Sequence, residues 1–333
     1  MSKGAITVGT ATSSRGRTVF GELKVAELND SSPISIPVAI VQGETDGPVL
    51  WVQNGVHGDE YVGLGAIQWL LRDLDPARLR GTVIALPVVN IMAYRERSRM
   101  ASQDGLDMNR MYPGKPLETA MHLQAHTELI LYALTNYMKE YADVIIDCHD
   151  GSAIATMSPY AQYFDAASEA GKKSRELAIA TGMSIVWRSS PGFIDEKAPG
   201  SLKTFLNQIG IPGLTLEVGG QGRLDRKDVS RMNLALRNLM VHLGMVDGKL
   251  ERPEEQVFIN AAKWLRPSKG GSFWPNVEPL QRVSRGDLFA TVTDLFGREK
   301  ERLLAPTDGI VVGIRTSGTA HTGEYCGNVA EFD

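Results

Sequence analysis

Between Val49 and Gly220 the sequence alternates short apolar runs, VLWVQNGV, TVIALPVVN, ADVIIDCH, MSIVW and PGLTLEVGG, with longer segments of helical period. An apolar run without polar alternation is a strand buried on both faces, which requires helices packed above and below it. Helical candidates fill the gaps: DEYVGLGAIQWLLRDL, LETAMHLQAHTELILYALTNYMKEY, ASEAGKKSRELAIATG, GSLKTFLNQIG and KDVSRMNLALRNLMVHLG, several of them closing at a glycine. This alternation predicts an α/β layer fold around a mostly parallel or mixed sheet. The first 45 residues read as short strands, TVFGELKVAEL and ISIPVAIVQG, leading into the core, with ETDGP as a loop.

The texture changes after Gly244. MVDGKLERPEEQ is polar, and the remainder of the chain has glycine turns and short strands (VFINAAKWL, DLFATVTDLFG, EKERLLAP, GIVVGIRT) but no amphipathic helix. The expected division is a catalytic-sized α/β domain over residues 1–250 and a small all-β domain over 251–333. A chain of 333 residues, 43% of them hydrophobic, can fill two cores.

Composition narrows the function. A formal net charge of -4 provides no basic field for nucleic acid or anionic lipid. Two cysteines, Cys148 and Cys326, do not make a disulfide scaffold, and a reducing cytoplasm fits them best. No apolar stretch reaches the roughly 18 residues of a membrane span, and MSKGAITVGTATSSRG has no apolar export region.

Ligands of open α/β sheets gather beyond the carboxyl ends of the strands. Three polar clusters fall there: His57-Gly58-Asp59-Glu60 after VLWVQNGV, His149 at the end of the strand in DVIIDCHDG, and Glu217 in TLEVGG, ahead of two glycines that let the chain turn. The spacing lets His57 and Glu60 face one point, with Glu60 in the first turn of a helix. Two imidazoles and a carboxylate, His57, His149 and Glu60, are the ligand set of a catalytic zinc site with its fourth position open to water. Glu217 is then the candidate base. Asp59, Asp147 and Asp150 flank the ligands, and the sequence does not choose which of them steadies an imidazole N–H.

Each feature has a plainer reading. An isolated H-x-x-E is more often a polar helix start than a ligand pair. It is the added His and Glu at separate strand ends that point to metal. His122 and His126 lie four apart, but no Glu follows His122 as in H-E-x-x-H, which argues against a primary site there. Cys148 points to the opposite strand face from His149 and reads as core. Gly63 and Gly65 lack the third glycine of a dinucleotide fingerprint and read as packing residues, and no G-x-S-x-G elbow exists. In the loop RSRMASQDGLDMNRMYPG, Arg99 and Arg110 have the chemistry of an oxyanion donor and a carboxylate fork; alone, either would be read as a structural ion pair or a solvated group.

NGVHGDEYVG, DGLDMNRMYPG, DCHDG and LTLEVGG, in this order, resemble the succinylglutamate desuccinylase and aspartoacylase family, a branch of the zinc carboxypeptidase-like hydrolases. The similarity extends over nearly the whole chain. It implies a carboxypeptidase-like α/β/α sandwich with a mixed sheet, one zinc ion per chain, and hydrolysis of an N-acyl amino acid or similar small amide. By this resemblance the metal ligands are His57, Glu60 and His149, and the catalytic glutamate is Glu217. The pair gripping a substrate carboxylate is Asn109 and Arg110. The arginine polarising the scissile carbonyl is Arg99, with Arg97 and Arg95 as neighbouring alternatives. The chain departs from many relatives in having HDGS after the third ligand, so that Asp150 would disfavour an acidic acyl chain. The tail, VSRGDLFATVTDLFGREKERLLAPTDGIVVGI, resembles a biotinyl/lipoyl-like barrel-sandwich module. Lys300 is offset from the hairpin tip where a carrier lysine would stand, and Glu324 or Tyr325 would border the cleft.

A deacylase therefore leads, against a zinc carboxypeptidase acting on peptide C-termini and a non-catalytic small-ligand-binding protein. The expected partner is a small-molecule N-acyl amino acid, not nucleic acid or a membrane, and self-association stays open.

Overall fold

Val144–His149 is buried at all six positions, and such a strand belongs at the centre of a sheet with helices over both faces. The computed structural model, which describes residues 4–120, 125–164, 167–189 and 200–332, has this arrangement. Four strands run parallel in the order Gly213–Gly220, Val144–His149, Thr45–Asn54, Arg80–Leu86. Antiparallel strands flank them: Pro33–Gln42 and then Arg17–Glu27 on one side, Ala155–Phe164 on the other. The sheet is mixed, as expected.

Helices α1 (Val62–Asp73), α4 (Glu169–Ala180) and α6 (Arg226–His242) cover one face, packing on Leu50, Val52, Ile146, Cys148 and Leu216. The other face is covered by α2 (Ile91–Glu96), α3 (His126–Tyr141) and α5 (Leu202–Ile209), against Trp51 and Ile145. The strand period of two divides neighbouring residues between the two cores, and each buried Leu, Ile or Val contributes about 1.5–3 kcal/mol. Cys148 is core, as its strand position predicts. No helix among the described residues is long and apolar enough to cross a membrane.

The Ala155–Phe164 strand carries the sheet into the tail. Gly309–Arg315 pairs with its first residues, and Gly327–Ala330 and Ala262–Leu265 come next, moving outward. A separate four-stranded antiparallel sheet, Glu299–Leu304, Leu288–Thr293, Gly271–Pro275 and Thr319–Ala320, shares a core of Phe273, Phe289, Val311 and Val329 with it. Lys300 lies in a strand, while Leu295 and Phe296 stand exposed at the hairpin tip.

Several local expectations differ from the structure: ETDGP, expected as a loop, is drawn from Thr45 onward into the strand Thr45–Asn54. The long helix expected over LETAMHLQAHTELILYALTNYMKEY is a 3-10 turn at Leu117–Thr119 and then α3, with His122 outside the described residues. The strand Ala155–Phe164 is absent from the sequence reading, because Pro159 interrupts its pattern. That proline coincides with the register shift opposite Glu217 and Gly219, where a missing N–H is tolerated.

Gly63 is a packing glycine. A Cβ there would lie 2.1 Å from Asn54 Oδ1 and 2.5 Å from the Cβ of Cys148. Gly63→Ala is expected to push α1 off the sheet at a cost of about 1–3 kcal/mol, seen as a lower thermal midpoint; an unchanged midpoint would mean that α1 is not held this tightly.

Candidate functional site

Thr45–Asn54 ends where the Asn54 amide donates to the carbonyls of Glu60 and Pro87, both at 3.2 Å, folding the next residues back over the strand end. Glu60 was expected inside the first helical turn, but α1 begins only at Val62. The reason is Asp150. Its Oδ2 accepts the N–H of Tyr61 at 2.8 Å and of Val62 at 3.0 Å, while Oδ1 accepts the N–H of Ser152 at 2.8 Å. These bonds satisfy the start of α1 from outside the helix and leave Glu60 in the preceding turn, free to bend toward the imidazoles. Asp150, expected to disfavour an acidic acyl chain, has both oxygens engaged by backbone N–H groups. Two further bonds lock the turn: Ala153 N–H to Asp59 at 3.1 Å, and Ser152 Oγ to Glu60 Oε1 at 3.0 Å. Ser152 holds a φ of 56° to do so.

The Glu60 carboxylate lies between two rings. His57 Nδ1 is 2.7 Å from Oε1 and His149 Nδ1 is 2.8 Å from Oε2, with ring centroids 5.1 Å apart. All three residues are buried, and they form the one group among the described residues able to converge on a metal ion. The far nitrogens are held as well: His149 Nε2 is 2.8 Å from Asp147 Oδ2, and His57 Nε2 is 3.2 Å from Asp107 Oδ1. Each ring thus has a carboxylate at both ends. Carboxylates only accept, so a neutral imidazole would turn one lone pair against negative charge. A cation between the Nδ1 atoms and Glu60 removes that conflict, and the two-nitrogen, one-oxygen donor set fits a metal.

The protonation tendencies agree. Burial opposes ionisation of Glu60, but His57 and His149 outweigh it and hold the carboxyl well below its usual range. Burial also disfavours the His149 imidazolium, yet Asp147 and Glu60 push its pKa well above normal. Asp107 is likewise depressed despite burial, through His57, Arg99 and Arg110.

Glu217 lies in register with His149 on one side and Tyr160 on the other. Burial pushes its pKa up to about 8; His149 and Arg99 pull it down, and Glu60 and Asp150 push it further up. The Tyr160 hydroxyl hydrogen-bonds it. Tyr325, from the tail, is raised by burial and then by the Glu217 charge, whereas Glu324 is paired with Arg315 at 3.1 Å. Of the loop arginines, Arg99 reaches the cluster, at 3.6 Å from Glu60 Oε1 and 3.3 Å from Asp107 Oδ2. Arg97 occupies the left-handed end of α2 and Arg95 lies within that helix. Asn109 accepts the Leu202 N–H through Oδ1 at 3.1 Å, and the exposed Arg110 donates to the Asn109 backbone carbonyl at 2.8 Å.

Sequence reasoning leaves Asp147 unchosen among three aspartates and passes over Asp107, although the DGLDMNR motif contains it. Tyr160 has no motif to mark it; only its register with Glu217 does so.

Known proteins place this architecture. A solved succinylglutamate desuccinylase from Silicibacter sp. TM1040 superposes with a TM-score of 0.83 at 21% identity, over 95% of both chains. The product-bound ectoine utilization protein EutE from Ruegeria pomeroyi does so with a TM-score of 0.83 at 23% identity, also over 95% of both chains. In sequence, the N-alpha-acetyl-L-2,4-diaminobutyric acid deacetylase of Halomonas elongata is 27% identical over 93% of this chain and 91% of its own. The model of the succinylglutamate desuccinylase/aspartoacylase catalytic domain matches residues 46–243, a span that holds the imidazoles, Glu60 and Glu217, and the chain belongs to that family.

Proposed function

We propose that this protein is a zinc-dependent deacylase that hydrolyses the amide bond of a small N-acyl amino acid in a reducing cytoplasm. The observation carrying this reading is the convergence of His57 Nδ1 and His149 Nδ1 on the Glu60 carboxylate, with each ring's other nitrogen held by an aspartate. One zinc ion per chain would be held by His57, Glu60 and His149. Bound there, it would act as a Lewis acid and lower the pKa of a water toward about 7.

The chain's own groups supply the remaining roles. Glu217, beside His149 on the next strand, takes a proton from the attacking water and delivers it to the leaving amine nitrogen. Arg99 donates to the carbonyl oxygen as it becomes negative. Asn109 and Arg110 hold the substrate carboxylate. The Asn109 side-chain oxygen is occupied by Leu202 N–H, so its NH2 end, a donor, is the one turned to a ligand. Tyr325 beside Glu217 favours a small substrate over a peptide, and the Halomonas elongata deacetylase makes N-acetylated diamino acids the first substrates to assay. We assign residues 1–250 to the catalytic domain and 251–333 to a barrel-sandwich module that borders the cleft.

Three variants test the assignment. Glu217→Gln should retain zinc and lose about 10²–10⁴-fold in kcat; unchanged turnover would remove Glu217 from the proton path. His149→Ala should lose zinc on dialysis, read by metal analysis, and full occupancy would overturn the ligand set. Arg110→Ala should mainly raise KM, because a carboxylate grip acts on ground and transition states alike; an equal loss confined to kcat would reject that role.

A further inference from the structure

A buried polar chain runs from His149 to the loop that bears Asn109 and Arg110, and Gln53 stands at its centre. Gln53 and Asp147 are in register on adjacent parallel strands. The Gln53 amide donates through Nε2 to Asp147 Oδ1 at 3.1 Å and to the Tyr112 hydroxyl at 3.0 Å, while Oε1 accepts the Trp51 indole N–H at 3.1 Å. Chemistry fixes this orientation: an indole N–H only donates and a carboxylate only accepts, so the amide cannot be flipped without breaking both bonds. Trp51 is fully buried, which gives the amide a rigid anchor. Asp147 Oδ2 is then free to hold His149 Nε2 at 2.8 Å. At the other end, Tyr112 is two residues beyond Arg110, donates its own N–H to the Gly200 carbonyl at 2.8 Å and stacks on Phe205.

We propose that Gln53 is a positioning residue that sets the His149 ring through Asp147 and couples it, through Tyr112, to the substrate-binding loop. This role rests on the assignment of His57, Glu60 and His149 as metal ligands. A glutamine in this place does what an apolar residue cannot. It pins one oxygen of Asp147, so that the other stays aligned with the imidazole, and it makes the position of the loop depend on the same amide.

The test uses the full chain loaded with zinc. Metal affinity is measured by chelator competition, and the ligand field by the visible spectrum of the cobalt-substituted protein. Gln53→Leu is expected to weaken metal binding by about 10- to 100-fold and to shift the cobalt spectrum, with circular dichroism unchanged. Tyr112→Phe should leave metal affinity unchanged and raise KM. Should Gln53→Leu fail to fold, Gln53→Asn, whose shorter amide cannot span both Trp51 and Asp147, is expected to show the same weakening. Wild-type affinity in the folded Gln53 variant, or an unchanged KM in Tyr112→Phe, would overturn the proposal. A wild-type chain that binds no metal would instead overturn the metal-ligand assignment itself.

Discussion

Everything at this site derives from negative charge concentrated where four parallel strands end. Glu60, Asp107 and Asp147 surround two imidazoles, and burial together with the Glu60 charge pushes the pKa values of Asp150 and Glu217 up to about 8. Two like charges about 5 Å apart repel by about 3 kcal/mol at an effective dielectric constant of about 20. Such a cluster persists in a folded core only with compensation. Part comes from backbone: Asp150 closes on three N–H groups, and Asp59 on one. Arg99 supplies a cation from the rim. The remainder is concentrated at the His57–Glu60–His149 junction, the one group among the described residues able to converge on a metal ion.

The same bonds explain how the strand ends are held in place. The turn after Val144–His149 grips the turn before α1 at Asp59, Glu60, Tyr61 and Val62. The H-x-x-E element is therefore shaped by residues about ninety positions later, not by its own helix. A catalytic constellation needs support of this kind, because small displacements of a ligand or base cost large factors in rate.

This dependence also separates what the sequence discloses from what it hides. The buried strands are legible because VIIDCH and VLWVQN have no polar alternation, and His57, Glu60, His149 and Glu217 stand out because each belongs to the end of such a run. The place of Glu60 is not legible, since its departure from the helix depends on a cap donated by Asp150 across the sheet. The strand Ala155–Phe164 is hidden by Pro159, whose missing N–H is harmless only because the ladder shifts register there. With that strand goes Tyr160. The alternation that sets Cys148 apart from His149 puts Asp147 on the face of His149; what the sequence hides is that Asp59 and Asp150 are taken up by backbone N–H groups.

The hidden strand is also the one that joins the two parts of the molecule. Its Tyr160 stands against Glu217, while Met157 pairs with Gly313 of the tail and Ser158 Oγ donates to the Val311 carbonyl at 2.7 Å. A Cβ on Gly313 would fall 2.3 Å from the Tyr325 hydroxyl, so a glycine there leaves room for that hydroxyl against the strand. Tyr325 in turn donates to Asn328 at 3.0 Å and meets Trp264 edge-on at 5.1 Å. The polarity around Glu217 is consequently set from both sides of residue 250: by the imidazole and carboxylates near the parallel strand ends, by Tyr160 on an antiparallel strand, and by Tyr325 just ahead of Gly327–Ala330. A β tail that merely covered the cleft would need no such continuity. Hydrogen bonding it into the same sheet, through Met157 and Gly313, ties the place of Tyr325 to that of Glu217.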